Sequence, residues 1–149
     1  MLDILRELNT RFDRSVLEGL RDNKRRRNFY RLSSPKTVQH EFRGQYGHPS
    51  SYAFVRFDCI PAEDLSFEAR ATWPEKVTKE YQAVLELAIA ESMADTLLEG
   101  LYQHTGCALT LSEVRYDEIG SSEAAFMKAS EGAIRELLAA DWTIVIRRP

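Results

Sequence analysis

Arg43-Gly44-Gln45-Tyr46-Gly47-His48 is the stretch from which the fold is read, together with Ser121-Ser122-Glu123-Ala124-Ala125-Phe126 further along the chain. In the first, Gly44 and Gly47 bracket a tight stretch, since glycine enters turn conformations that a Cβ would forbid. Residues 37–43 before it read as a strand, and His48-Pro49-Ser50-Ser51 delays the next one. In the second, Ser121 is a good helix N-cap, and Glu123 stands in the first turn, where the helix dipole favours an anion. The first segment therefore joins two strands and the second opens a helix.

Working outward, Tyr52 to Ile60 alternates as a strand does. Ala53, Val55, Phe57 and Cys59 share one face, and Tyr52, Phe54, Arg56 and Asp58 share the other. The second face mixes aromatic and charged groups, so it is expected to be partly exposed or covered by an N-terminal helix. Phe67 to Trp73 reads as a third strand, ended by Pro74. Thr78 to Leu98 reads as the strongest helix, with Tyr81, Val84, Leu85, Ala88, Ile89, Met93 and Leu97 as its apolar stripe and Gly100 as its stop. Cys107, Leu109 and Leu111 then alternate into another strand, ending near Tyr116. The helix opened by Ser121 runs through Ala140 with Phe126, Ala129, Ala133 and Leu137 inward, and Trp142 to Ile146 makes a last short strand.

At the start of the chain, Leu5, Leu8, Phe12, Val16 and Leu20 recur at spacings of three and four, which predicts an amphipathic helix from residue 2 to about 23. Gly19 weakens it by ~1 kcal/mol, too little to break a helix whose stripe is buried. It runs into Lys24-Arg25-Arg26-Arg27 and Phe29-Tyr30-Arg31, and Ser33-Ser34-Pro35 is a breaker. The order is helix, three strands, helix, strand, helix, strand. That is an α+β sandwich, a mostly four-stranded sheet with helices on one face, plus the N-terminal helix. Residues 1–31 form one segment and residues 32–149 the domain.

The 149 residues suit one domain with a proper core, and a composition of 44% hydrophobic and 29% charged residues excludes disorder as the starting point. No apolar run approaches the ~18–20 residues that span a bilayer. Met1-Leu2-Asp3-Ile4 lacks a charged-then-apolar signal pattern, so a cytoplasmic protein is expected. Cys59 and Cys107 are too few for a disulfide framework, and each sits in an alternating apolar run, where a buried thiol is expected. The net charge of −3 is unevenly spread: residues 1–31 hold nine basic and five acidic groups, a balance of +4, and the remaining residues hold eleven and eighteen, a balance of −7. Most of the body would repel a polyanion, so a local nucleic-acid contact is expected at most.

The two opening segments, in this order, resemble those of the fourth domain of translation elongation factor G and its ribosome-protection relatives. There an R-G-Q-Y-G-H run leaves one tip loop and an S-S-E-x-A-F run opens the helix after a second. Lys79-Glu80-Tyr81 with Ala83-Val84 resembles the family's K-E-Y-x-x-A-V at the start of the long helix, with one residue fewer between Tyr81 and Ala83, and the resemblance covers residues 40–149. It implies the ribosomal S5 second-domain fold, and a tip that in the family enters the decoding centre of the small ribosomal subunit. The chain departs from the family pattern at both tips. A glycine pair that precedes R-G-Q-Y-G-H in the family is matched by Glu41-Phe42, expected to reshape the first tip loop. A histidine of the second tip loop is matched by Asp117, flanked by Glu118, which would repel phosphate. No G-x-x-x-x-G-K-[ST] loop occurs, so neither GTP binding nor hydrolysis is expected of these residues.

Two sets of residues are candidates for RNA contact. Arg43, Gln45, Tyr46 and His48, with Arg115 and Asp117, belong to the tip, where arginine pairs with phosphate and tyrosine stacks on a base. Alternatively the glycines serve the turn and Tyr46 packs its ring on a helix. Lys24, Arg25, Arg26, Arg27 and Arg31, interleaved with Phe29 and Tyr30, form a basic–aromatic run; the alternative is a solvated helix end or a seam against the acidic body. His40, His48 and His104 show no ligand spacing, so neither metal nor cofactor is expected. Cys107 lacks an activating base nearby in sequence. Ile119 to Ala125 faintly resembles the phosphate loop of small-molecule kinases, but Asp117 and Glu118 stand where that loop needs glycine. The expected protein is therefore not an enzyme. It binds the ribosomal small subunit or structured RNA, or is a protein-interaction or self-associating module that kept the fold, with the N-terminal helix as a contact.

Overall fold

The computed structural model describes residues 28–44, 51–99 and 103–146. The expected N-terminal helix, Lys24 to Arg27, Gln45, Tyr46 and His48 lie outside the described residues. The elements in order are β1 (Phe29–Leu32), β2 (Lys36–Arg43), β3 (Tyr52–Pro61), β4 (Ser66–Ala69), α1 (Lys79–Leu97), β5 (Cys107–Arg115), α2 (Glu123–Leu138) and β6 (Trp142–Val145). Four strands form one sheet in the order β2-β3-β5-β4, antiparallel except for the β4–β5 pair. β1 and β6 pair antiparallel as a separate ribbon.

The α+β architecture, with helices against one face of a four-stranded sheet, is as the sequence implies, and the differences have local causes. Phe29 to Leu32 is a strand that the alternation of so short a basic–aromatic run does not reveal. Phe29 and Leu32 are buried, and Leu32 pairs with Trp142. The strand expected to run from Phe67 to Trp73 ends at Ala69. Arg70 adds one hydrogen bond to Leu111, and the chain then leaves the sheet so that Trp73 and Val77 enter the core. There the Trp73 ring meets Phe126 edge-on at 5.3 Å. Its indole N–H donates to the Glu86 carboxylate at 3.3 Å, and burial raises that carboxyl above its usual range.

β5 shows how the register is repaired. Cys107, Leu109 and Leu111 keep period two, but Val114 falls on the wrong parity and is still buried. A bulge does this: Arg56 pairs with Glu113 and Phe57 with Leu111, so Ser112 is the extra residue. The Ser112 hydroxyl donates to the Arg56 carbonyl at 3.2 Å.

Both helices are capped by side chains. The Thr78 hydroxyl accepts from the Tyr81 N–H at 3.2 Å and the Ser122 hydroxyl from the Ala125 N–H at 3.2 Å. The cap of α2 is thus Ser122, one residue later than the sequence pattern suggests. In α1 the buried surface is wider than the expected stripe. Leu85, Ala88, Ile89, Met93 and Leu97 are inside, with Ala90, Ser92, Ala94 and Thr96, whereas Val84 is 41% exposed. In α2 the four expected inward residues are fully buried. Tyr81 meets Tyr116 edge-on just before α2, and Glu99 just after α1 pairs with Arg135 in the last turn of α2. The helices therefore run side by side in the same direction. Gly132 of α2 lies over His40 of β2, where a Cβ would come within 2.4 Å of the ring. Cys59 and Cys107 are free and buried, and burial pushes the Cys59 thiol up to about 12 and Cys107 still higher, leaving neither as a ready nucleophile.

Candidate nucleic-acid interface at the tip of the sheet

The C-terminal ends of β2 and β5 and the N-terminal end of β3 meet at one end of the sheet. Arg43 pairs with Tyr52, and Phe54 with Arg115. The β2–β3 connection closes with the Gly44 N–H donating to the Ser51 carbonyl at 2.8 Å. The β5–α2 connection is fixed by Ser121. Its hydroxyl donates to the Tyr52 carbonyl and accepts from the Asp117 N–H, both at 2.8 Å. The Tyr52 N–H donates to the Gly120 carbonyl at 3.0 Å, so this second loop is sewn to the start of β3. The Asp117 carboxylate accepts from the Ile119 N–H at 3.0 Å, an Asx turn. The Ser-Ser pair thus divides its work: Ser121 binds the loop to the sheet and Ser122 caps the helix.

On the sheet face away from the helices, side chains form two linked sets. Arg43 Nε donates to Glu41 at 2.7 Å, and the Tyr52 hydroxyl donates to the other oxygen of the same carboxylate at 3.0 Å. Those bonds, Arg43 first, hold the Glu41 carboxyl below its usual range and raise Arg43. Tyr52 is raised chiefly by burial and then by its bond to Glu41. In the second set Arg56 donates to Gln39 and Glu113, both at 2.9 Å, and Arg115 to Glu113 at 3.0 Å. The Arg115 guanidinium lies 4.2 Å from the centre of the Phe54 ring, and Phe54, although on the outer face, is only 4% exposed.

Of the sequence-derived candidates that are described, Arg43, Arg115 and Asp117 come together at this end. Arg43 and Arg115 direct exposed side chains outward (71% and 54%). Arg31 does not join them. It sits in β1 beside Gly106 and pairs with Glu63 at 2.6 Å, at the other end of β3, about 30 Å away for a strand of ten residues. Glu41 and Phe42 are paired within β2, opposite Phe54 and Ala53, as the strand expected over residues 37–43 implies. Gln39, Tyr52, Phe54, Arg56 and Glu113 were missed as members of the surface network. The alternation of Tyr52, Phe54, Arg56 and Asp58 signalled the face, but which charges pair across strands depends on register. Among the described residues no group of His, Cys, Asp or Glu is placed to hold a metal ion, and no helix is long and apolar enough to cross a membrane.

The family described as elongation factor G, domain IV, matches residues 30–140. Among solved structures, the crystal structure of a protein from Thermus thermophilus shares the fold with a TM-score of 0.67 at 21% identity, over 78% of this chain. The chain spans 18% of that protein's length. The two sewn connections at one end of the sheet, the capped parallel helices behind it and the match over most of the chain agree: this protein belongs to the elongation factor G domain IV family.

Proposed function

We propose that the protein is a non-enzymatic, cytoplasmic binding module that engages the small ribosomal subunit, or RNA structured like it, through the end of the sheet bearing Arg43 and Arg115. The observation that carries this reading is the convergence of the two tip connections, with two exposed guanidiniums beside them. Gln45, Tyr46 and His48 belong to the first connection and supply stacking and hydrogen-bonding groups. Glu41 and Glu113 already hold the two arginines, but ion pairs this exposed are weak and exchange readily for phosphate. Lys24 to Arg27 add a sequence-independent grip. If they and Arg31 neutralise five phosphates, log K falls with log salt at a slope of about −4 to −5. The test is co-sedimentation with separated ribosomal subunits at low and moderate salt. Saturable small-subunit binding that persists at moderate salt is expected, and no binding at either salt refutes the reading.

A second reading, a protein-interaction module, is favoured by one specific feature. Asp117 and exposed Glu118 add negative charge to the second loop, where a phosphate-binding tip needs none. On that reading a variant with Lys24 to Arg27 replaced by Ser keeps its partner, whereas RNA binding is lost without any change in melting.

A further inference from the structure

Three arginines and two aromatic rings share the outer face of the sheet at its tip end. Arg43 lies over the Tyr52 ring at 5.5 Å, and Arg56 and Arg115 lie over the Phe54 ring at 5.9 and 4.2 Å. Farther along this face the positions turn polar: Gln39 stands opposite Arg56, and Thr37 and Thr110 flank Asp58. A fourth guanidinium–ring pair, Arg31 with Phe29, lies in β1 at the other end. Tyr52 and Phe54 are two residues apart on one strand, so their rings are spaced by about 6.8 Å. That is twice the ~3.4 Å step between stacked bases of a helical strand. Rings so spaced suit bases pulled out of their stack; in a duplex the base faces are already occupied.

The burial of Phe54 has a movable cause. Its neighbours across the strands are Glu41 and Arg115, and the Arg115 guanidinium is the nearer of the two that cover its ring. The Arg115 side chain is held to Glu113 at 3.0 Å by an ion pair open to solvent, an interaction of small net worth. Turning it aside bares an aromatic face without disturbing the sheet. Tyr52 is already partly exposed. The charge here also differs from that of the body. Three arginines against Glu41 and Glu113 leave +1 around the rings, whereas residues 32–149 carry −7 in all.

We propose that this face is a stacking platform for two unpaired nucleotides of an RNA strand, with Arg115 as its lid. One base stacks on Tyr52, and the next takes the place of the Arg115 guanidinium on Phe54. The released guanidinium, with that of Arg43, pairs with the phosphates. The inference rests on the RNA-binding reading above and narrows its ligand to single strands.

The test titrates the full chain, at moderate salt, into a labelled oligouridine of about twelve nucleotides and into a blunt RNA duplex of like length. Wild type is expected to bind the single strand at least about tenfold tighter. Phe54→Leu keeps apolar bulk but loses the ring face, and should lose roughly tenfold on the single strand and less than about twofold on the duplex. No preference in wild type, or a variant unchanged on the single strand or weakened equally on both, overturns the platform. Co-sedimentation of wild type with small ribosomal subunits separates the two failures. Subunit binding without single-strand preference refutes the platform alone, and absence of both refutes the RNA-binding reading with it. Because Phe54→Leu could unfold the sheet, wild type is also cross-linked by light to the same oligonucleotide carrying 5-iodouridine and mapped by mass spectrometry. Links to Tyr52 or Phe54 support the platform; links only elsewhere, or none, contradict it.

Discussion

At the end of the sheet bearing Arg43 and Arg115, the Ser121 side chain joins two backbone hydrogen bonds in holding the connections; at the opposite end, backbone packs directly on backbone. The first end closes through Ser121, which serves Tyr52 and Asp117 with one hydroxyl. The second closes where β1 crosses Gly106. The Leu32 N–H donates to Gly106 at 3.1 Å and the Gly106 N–H to Tyr30 at 2.9 Å, with a Tyr30–His104–Trp142 ring cluster alongside. The difference separates two demands. An end held by local polar bonds leaves its large charged side chains outside and available, while an end held by close approach spends its side chains on packing.

Replacing Gly106 is the severest challenge to this contrast. An added Cβ would lie 2.5 Å from the Arg31 Cα, and backbone cannot swing aside as a side chain can. Gly106→Ala is expected to cost about 3 kcal/mol, lowering the melting temperature by roughly 10 °C. Ser121→Ala, at the other end, removes two hydrogen bonds without a clash and is expected to cost about 1–2 kcal/mol by urea unfolding. If the order of these two were reversed, the tip would be the structural keystone and the contrast would fail.

A smaller effect probes the packed end alone. His104 lies stacked on Tyr30 and edge-on to Trp142, and burial lowers its pKa below the usual 6.5. The unfolded chain therefore takes up a proton at His104 before the native protein does. Its contribution to stability is complete above pH 6.5 and is lost as pH falls through that value toward the lowered native pKa. His104→Phe keeps a ring in the cluster and should lose less stability than wild type between about pH 7.5 and 5.5, measured by urea midpoints. An identical loss in both would mean that the cluster does not shield the imidazole.

Much of this was legible in the chain, and the remainder has physical reasons for being hidden. The alternation of Ala53, Val55, Phe57 and Cys59 and the spacing of Phe126, Ala129, Ala133 and Leu137 record burial on one face, which period alone reveals. The bulge at Ser112 is not legible that way, because it exists to reconcile Leu111 and Val114 with one face. β1 escaped because four residues carry too little pattern, and its pairing with β6 spans nearly the whole domain. At the candidate site, Arg43, Arg115 and Asp117 were legible from the family's motifs, but the separation of Arg31 from them was not, since sequence distance says nothing about which end of a sheet a strand reaches. The confinement of the Asp117 carboxylate to an Asx turn likewise required the loop's own geometry.

The smallest stability effect belongs to the residues expected to matter most for binding. Arg43→Ala with Arg115→Ala removes two exposed side chains and should shift the melting temperature by no more than about 2 °C. The most direct test is therefore co-sedimentation of this double variant and wild type with purified small ribosomal subunits at moderate salt. If the tip is the binding end, wild type sediments saturably and the variant loses at least about tenfold in affinity while its melt is unchanged. Equal binding by the two proteins, or binding by neither, would contradict the placement of function at this end of the sheet.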